Sequence, residues 1–242
     1  MSVIWHWLST PLSGASSHSL EPWLYWHARM MVMAWAILLP AGALWARYFK
    51  VLPSQNWPDR LDNKIWWHAH RALQCLGMTL ATLGAAVAWQ HTTQAGPLAR
   101  LHGYAGWLLM FLGGLQILSG LLRGTKGGPT DKQDRGDHYD MTVRRRWFER
   151  VHKGLGWMSL LAAMAVMGMG LLLADAPRWM PLVLLVWWLV LASLAWRWQR
   201  QGRCIDTYQA IWGTDKRHPG NQLPPIGWGI RRPFDTQKHG QS

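Results

Sequence analysis

Charge is scarce in this chain. Only 15% of its 242 residues are Asp, Glu, Lys or Arg, where soluble chains average roughly 25%. Acidic residues are the scarcer kind, 12 against 25 Lys and Arg. Two cysteines, Cys75 and Cys204, cannot staple a chain of this length, so a disulfide scaffold is excluded. Hydrophobic residues make up 50%, which excludes disorder. No nucleophile triad, phosphate-binding glycine loop or cysteine metal cluster is present. The mean hydropathy lies just below zero. That average is depressed by 20 Trp, a residue that collects with Tyr at membrane–water interfaces.

The few charges are spaced unevenly. Five stretches hold none: between Arg29 and Arg47, Arg71 and Arg100, Arg100 and Arg123, Lys153 and Asp175, and Arg178 and Arg197. A spanning helix needs about 20 mostly apolar residues, with a range of roughly 17–25. All five stretches fit once their polar ends enter the interface. None carries the polar stripe of a helix lying on a soluble core. The sequence therefore predicts an all-α, multi-pass integral membrane protein.

Basic residues alternate with loop number. The loop 47–64 holds Arg47, Lys50, Arg60 and Lys64. The loop 123–153 holds Arg123, Lys126, Lys132, Arg135, Arg144, Arg145, Arg146, Arg150 and Lys153. The region after residue 196 holds Arg197, Arg200 and Arg203. The other side offers only Arg100, Arg178 and, just inside the first span, Arg29. By the positive-inside rule the N-terminus lies outside and the C-terminus in the cytoplasm. The net charge of +13 thus reflects topology, and no nucleic-acid partner is expected.

Four regions follow. Residues 1–22 are Ser- and Trp-rich and lack the basic start of a signal peptide. They read as an extracytoplasmic segment, interfacial or flexible. Residues 23–175 form a four-span core. Residues 176–198 form a fifth, peripheral transmembrane helix. Residues 199–242, rich in Gly, Pro and charge, read as a cytoplasmic tail without its own core.

Among 11 histidines, five fall at span starts: His27, His68, His70, His102 and His152. Ionisable residues inside spans are costly and mark function by default. Alternating span direction puts His27 and His102 near the outer face and His70 and His152 near the inner one. Each pair comes from two parallel helices, which are diagonal neighbours in an antiparallel four-helix bundle. Zinc wants three or four ligands, and no carboxylate or Cys is placed to complete it. Haem iron needs only two axial ligands from the protein. The third span reads His102-Gly-Tyr-Ala-Gly106 and the fourth His152-Lys-Gly-Leu-Gly156. Residue i+4 shares a helix face with residue i, so Gly106 and Gly156 leave room beside each histidine for a porphyrin plane. These residues predict a four-helix bundle with a haem at each histidine pair, its iron bound by His27 and His102 in one and by His70 and His152 in the other. His68, beside Trp66 and Trp67, reads as interfacial or as a contact for a propionate or donor. His91 ends the second span, and His6, His18, His138, His218 and His239 lie outside the spans. Met158, Met164, Met167 and Met169 read as flexible packing rather than ligands.

The order of these pieces resembles the core of the cytochrome b561 family, in its DOMON-linked and ferric-reductase-like branch. The matching segments are 26–50 (WHARMMVMAWAILLPAGALWARYFK), 66–74 (WWHAHRALQ), 102–122 and 152–173. Within them stand Ala34-Trp35, Pro40-Ala-Gly42, Ala46-Arg47-Tyr48 and the His70…Gln74 spacing. The resemblance covers about 24–175 and implies two haem b groups with the same histidine pairing. It also implies electron transfer across the membrane, from an ascorbate-like or quinol donor to an outer acceptor such as ferric iron, and a homodimer. The chain departs from that family in showing five spans rather than six and no DOMON-like domain. Arg47, Arg71 and Lys153 are candidate propionate or donor contacts, since guanidinium suits carboxylates. The expected setting is a bacterial inner membrane. Two other readings stay open: a haem-containing anchor that docks a separate redox partner, and a haem-free structural bundle.

Overall fold

A computed structural model describes residues 3–15, 20–91, 96–124, 127–129, 136 and 138–233. Lys126, Lys132, Arg135, His18 and His239 lie outside the described residues. Five helices are long and apolar enough to cross a membrane: Pro22–Tyr48, Ile65–His91, Gly96–Leu122, Val143–Leu173 and Trp179–Arg200. They coincide with the five charge-free stretches. Among the described residues there is no strand, only two isolated bridges. The first span is the most enclosed, and the fifth has no buried residue. The fifth is thus the peripheral helix that the sequence predicts.

The chain divides into two compact units. The first comprises Met1–Ala41, Leu73–Leu115 and Trp157–Leu194; the second comprises Gly42–Ala72, Gln116–Gly156 and Ala195–Ser242.

In the first unit, the first span opens with Pro22, where a missing N–H costs nothing. Pro40 sits deeper. It has no N–H for the carbonyl of Ala36, four residues earlier, and its ring crowds that carbonyl. The helix answers with a π-helical segment, Met33–Leu38. Two neighbours donate to carbonyls in and beside this segment. Trp187 Nε1 of the fifth span donates to Ala36 O at 2.7 Å. Gln74 Nε2 of the second span donates to Leu39 O at 2.9 Å. The second span comes this close because Gly77 faces Leu39, where a Cβ would lie only 2.8 Å from the Leu39 side chain.

The same unit holds the N-terminal segment. Its helix Val3–Ser9 is followed by Ser13, whose N and Oγ donate to Asp175 at 2.7 and 2.6 Å. Arg178 lies over the Trp7 ring at 5.1 Å. Residues 3–15 are therefore pinned to the turn before the fifth span, while 16–19 lie outside the described residues.

The second unit holds the tail. Residues 204–233 share a core with the 123–153 loop, built on Met141, Tyr208 and Ile226 with Trp212 and Leu223 packed against it. Asp206 caps the helix Thr207–Trp212 and pairs with the buried Arg232 at 2.6 Å. Gly220 lies flat on Tyr208, where a Cβ would meet the ring at 2.3 Å. The tail's apolar residues are too sparse to make a core alone, and the loop supplies the rest. Lys50, just past the first span, is buried and donates to Ile205 O at 3.1 Å.

Two outcomes follow from these contacts. Trp187→Phe orphans the Ala36 carbonyl where no water reaches it, and is expected to cost about 1–3 kcal/mol. A lowered thermal midpoint in detergent, against Trp188→Phe as control, is the measurement. Burial, and then Lys153 nearby, push the Lys50 ammonium down from 10.5 to about 8. Between those values the unfolded chain binds more protons than the folded one, so stability rises with pH. The penalty at neutral pH is about 3 kcal/mol, and it fades as pH climbs from 8 toward 10.5. Proteolysis of 204–233 at increasing temperature should begin later at pH 10 than at pH 7.5, and Lys50→Met should flatten that dependence.

Candidate functional site

Each unit brings together one histidine pair. In the first, the His27 and His102 ring centres lie 6.2 Å apart with planes at 76°. In the second, His70 and His152 lie 6.4 Å apart, also at 76°. All four are half-buried. His68 is exposed, and it is His70 that faces His152.

The other ring nitrogen of each histidine is held as well. His27 Nδ1 lies 2.9 Å from Gly84 O and His70 Nδ1 lies 2.9 Å from Gly42 O. The first two spans therefore brace each other's histidines. His102 Nδ1 lies 3.1 Å from Val166 O, and His152 Nδ1 lies 3.2 Å from Ser119 Oγ. The third and fourth spans do the same. A carbonyl only accepts, so Nδ1 must carry the proton and donate. In a neutral imidazole that leaves the lone pair on Nε2, free to bind a metal.

The donor set decides which group fits. Among the described residues, no group of three or more His, Cys, Asp or Glu is placed to hold a metal ion. Two imidazoles suffice where a macrocycle supplies the remaining ligands. Two metal–nitrogen bonds of about 2 Å, one from each ring, match the spacing within each pair. A Cβ built on Gly106 meets nothing within 4 Å, and one on Gly156 meets only Gln116 Nε2 at 3.9 Å. The residues fit a haem at each pair.

The remaining candidates are not gathered into one site. Arg47 donates to Gln199 Oε1 at 3.1 Å and to Trp228 O at 3.0 Å, and it lies over the Trp228 ring at 4.5 Å. Lys153 pairs with Glu149 at 2.7 Å and donates to Ile226 O at 2.9 Å. Both hold the tail. Arg71 is exposed, 5.7 Å from the Trp67 ring. Sequence reasoning missed Arg123 as a site residue. Its guanidinium lies 3.6 Å from the centre of the Trp67 ring, which is 6.3 Å from His70. It also missed Ser119 and the three carbonyls. A carbonyl has no sequence signature, and Ser119 shares no motif with His152.

The model of the eukaryotic cytochrome b561 family matches residues 26–176. The chain belongs to the cytochrome b561 family. The match covers the first four spans and both histidine pairs, and stops before the fifth span and the tail. Membership implies binding of haem b. A cytochrome b561, DM13 and DOMON domain-containing protein of Arabidopsis thaliana is 38% identical over 72 residues, 30% of this chain and 7% of that protein. A cytochrome b561 and DOMON domain-containing protein of the same plant is 25% identical over 62% of this chain and 31% of its own length. Ferric-chelate reductase 1 of Bos taurus is 26% identical over 66% of this chain and 24% of its own length. The chain therefore spans less than a third of each of these relatives. No solved structure matches it significantly.

The open space beside the glycines makes a sharp test. Gly106→Leu meets no protein atom at its Cβ, so helix content and yield should hold. Haem bound beside His102 should be lost. Retention of full haem by Gly106→Leu would show that the space serves something else.

Proposed function

We propose that this chain is a di-haem b-type cytochrome that carries electrons across a membrane. The observation that carries this reading is the pair of facing imidazoles in each unit, with Nδ1 of every histidine committed to a neighbouring span. His27 and His102 would hold one haem, and His70 and His152 the other. Bound haem supplies the one-electron chemistry through its iron. The protein's own work is geometric and electrostatic. Gly84 O and Val166 O fix the ring orientation of the first pair, and Gly42 O and Ser119 Oγ that of the second. A hydrogen bond from Nδ1 also makes the imidazole a stronger electron donor at Nε2. Gly106 and Gly156 leave space for the macrocycle. In the proposed topology the N-terminus lies outside and the C-terminus in the cytoplasm, as the alternation of basic loops supports.

The relatives' names support an acceptor such as ferric iron. The donor is proposed to be a membrane quinol or an ascorbate-like reductant. One observation favours the quinol, or a docked redox partner, over a small anion. Arg47 and Lys153, the cations best placed by sequence for an anionic donor, already donate to tail carbonyls. A small anion would have to displace the tail to reach them.

The test is a dithionite-reduced minus oxidised spectrum with haem quantitation, on the wild type, His27→Ala and His152→Ala. About two b-type haems per chain are expected. Each variant should lose a different one. No haem, or full haem in both variants, would overturn the reading.

A further inference from the structure

Three of the four paired histidines direct Nδ1 at a backbone carbonyl: Gly84, Gly42 and Val166. His152 alone meets a side chain, Ser119 Oγ, at 3.2 Å. The direction of that bond follows from the serine's other contact. Ser119 Oγ donates its one proton to Gln116 O at 3.0 Å, a back-bond to the preceding turn. Only lone pairs then face the histidine, so His152 Nδ1 must donate. The Gln116 side chain adds a second brace, donating from Nε2 to His152 O at 3.1 Å. A short polar patch of the third span thus holds both the backbone and the ring of one residue in the fourth.

A back-bonding serine is common in apolar helices, where it satisfies itself and nothing else. Here the oxygen has a second partner on another helix. An alcohol oxygen is also a weaker acceptor than an amide carbonyl, and this bond is the longest of the four. His152 is therefore the least polarised of the four imidazoles. It is also the only one whose acceptor a point mutation removes without touching a backbone.

Resting on the di-haem reading above, we propose that Ser119 is a positioning residue for His152. It fixes the tautomer and ring plane of His152 and sets how strongly Nε2 donates. The haem held by His70 and His152 thereby acquires a reduction potential tuned separately from that of the other pair. A hydrogen bond at Nδ1 raises ligand basicity and so favours the ferric state; its loss raises the potential.

The experiment is a spectroscopic redox titration of the full chain with haem quantitation, on wild type, Ser119→Ala, Ser119→Cys and Ser119→Thr. Two transitions are expected in wild type. Ser119→Ala should move one of them to higher potential and leave the other in place. Its affinity for that haem should fall on the order of 10–100-fold. Ser119→Thr, which keeps the hydroxyl, should restore both properties. If Ser119→Ala sheds one haem entirely, Ser119→Cys, with a weaker acceptor of similar size, should retain it at a raised potential. Two unmoved transitions with full haem would overturn the proposal, as would equal shifts of both. A wild type without haem would overturn the di-haem reading itself, which is a different result from a normal pair of haems indifferent to Ser119.

Discussion

A helix carbonyl that loses its donor inside an apolar layer has no water to replace it. Pro40 creates that situation at Ala36, and much of the first unit answers to it. The first span widens into a π segment over Met33–Leu38. The freed Ala36 carbonyl takes the indole proton of Trp187, and the Leu39 carbonyl takes the amide of Gln74. Two spans are thus each fastened to the first by a side-chain hydrogen bond to one of its carbonyls. The same constraint governs the histidines. An imidazole N–H in that layer must find an acceptor, and helix carbonyls are the acceptors at hand. Once Nδ1 is committed in this way, Nε2 keeps its lone pair. Satisfying the backbone and preparing a metal ligand are one arrangement seen from two ends.

The bracing is reciprocal. The first and second spans exchange His27 for Gly84 and His70 for Gly42. The third and fourth exchange His102 for Val166 and His152 for Ser119. Removing one histidine therefore does more than delete a proposed ligand, because it also cuts a hydrogen bond between neighbouring helices. Loss of cofactor and loosening of a helix pair should be separated when such variants are read. The glycines allow that separation, since Gly106 and Gly156 touch no partner histidine's acceptor.

The spans were legible because charge is costly in lipid and rare in this chain, so its absence marks length directly. The histidine pairs were legible through position. Each lies near the start of its span, and alternating direction sorts four such residues into two sets. The choice of His70 over His68 was legible from depth. What the sequence hid were partners without a side-chain signature: the carbonyls of Gly84, Gly42 and Val166. Ser119 was hidden for a different reason. It looks like any small polar residue in a span, and only the fold brings it to His152. The tail's packing was hidden because its apolar residues are scattered among Gly, Pro and charge. Its core becomes visible only when Met141 of a distant loop is added.

That tail bears on what can reach the second pair. The family match ends at residue 176, so the fifth span and the tail lie outside the matched core. In the second unit they bind core residues by their side chains and main chain alike. Gln199 accepts from Arg47 and donates to Gly229 O, while Ile226 O and Trp228 O take protons from Lys153 and Arg47. Arg47 and Lys153 are among the residues that the sequence offered as contacts for an anionic donor. Arg47 and Lys153 instead hold tail carbonyls, Lys153 also pairing with Glu149, and Lys50 holds Ile205 O. An arrangement that ties all three cations to tail carbonyls, and Lys153 to Glu149 as well, suits a donor that does not rely on them. The proposed quinol, neutral and arriving through the lipid, would need none of the three.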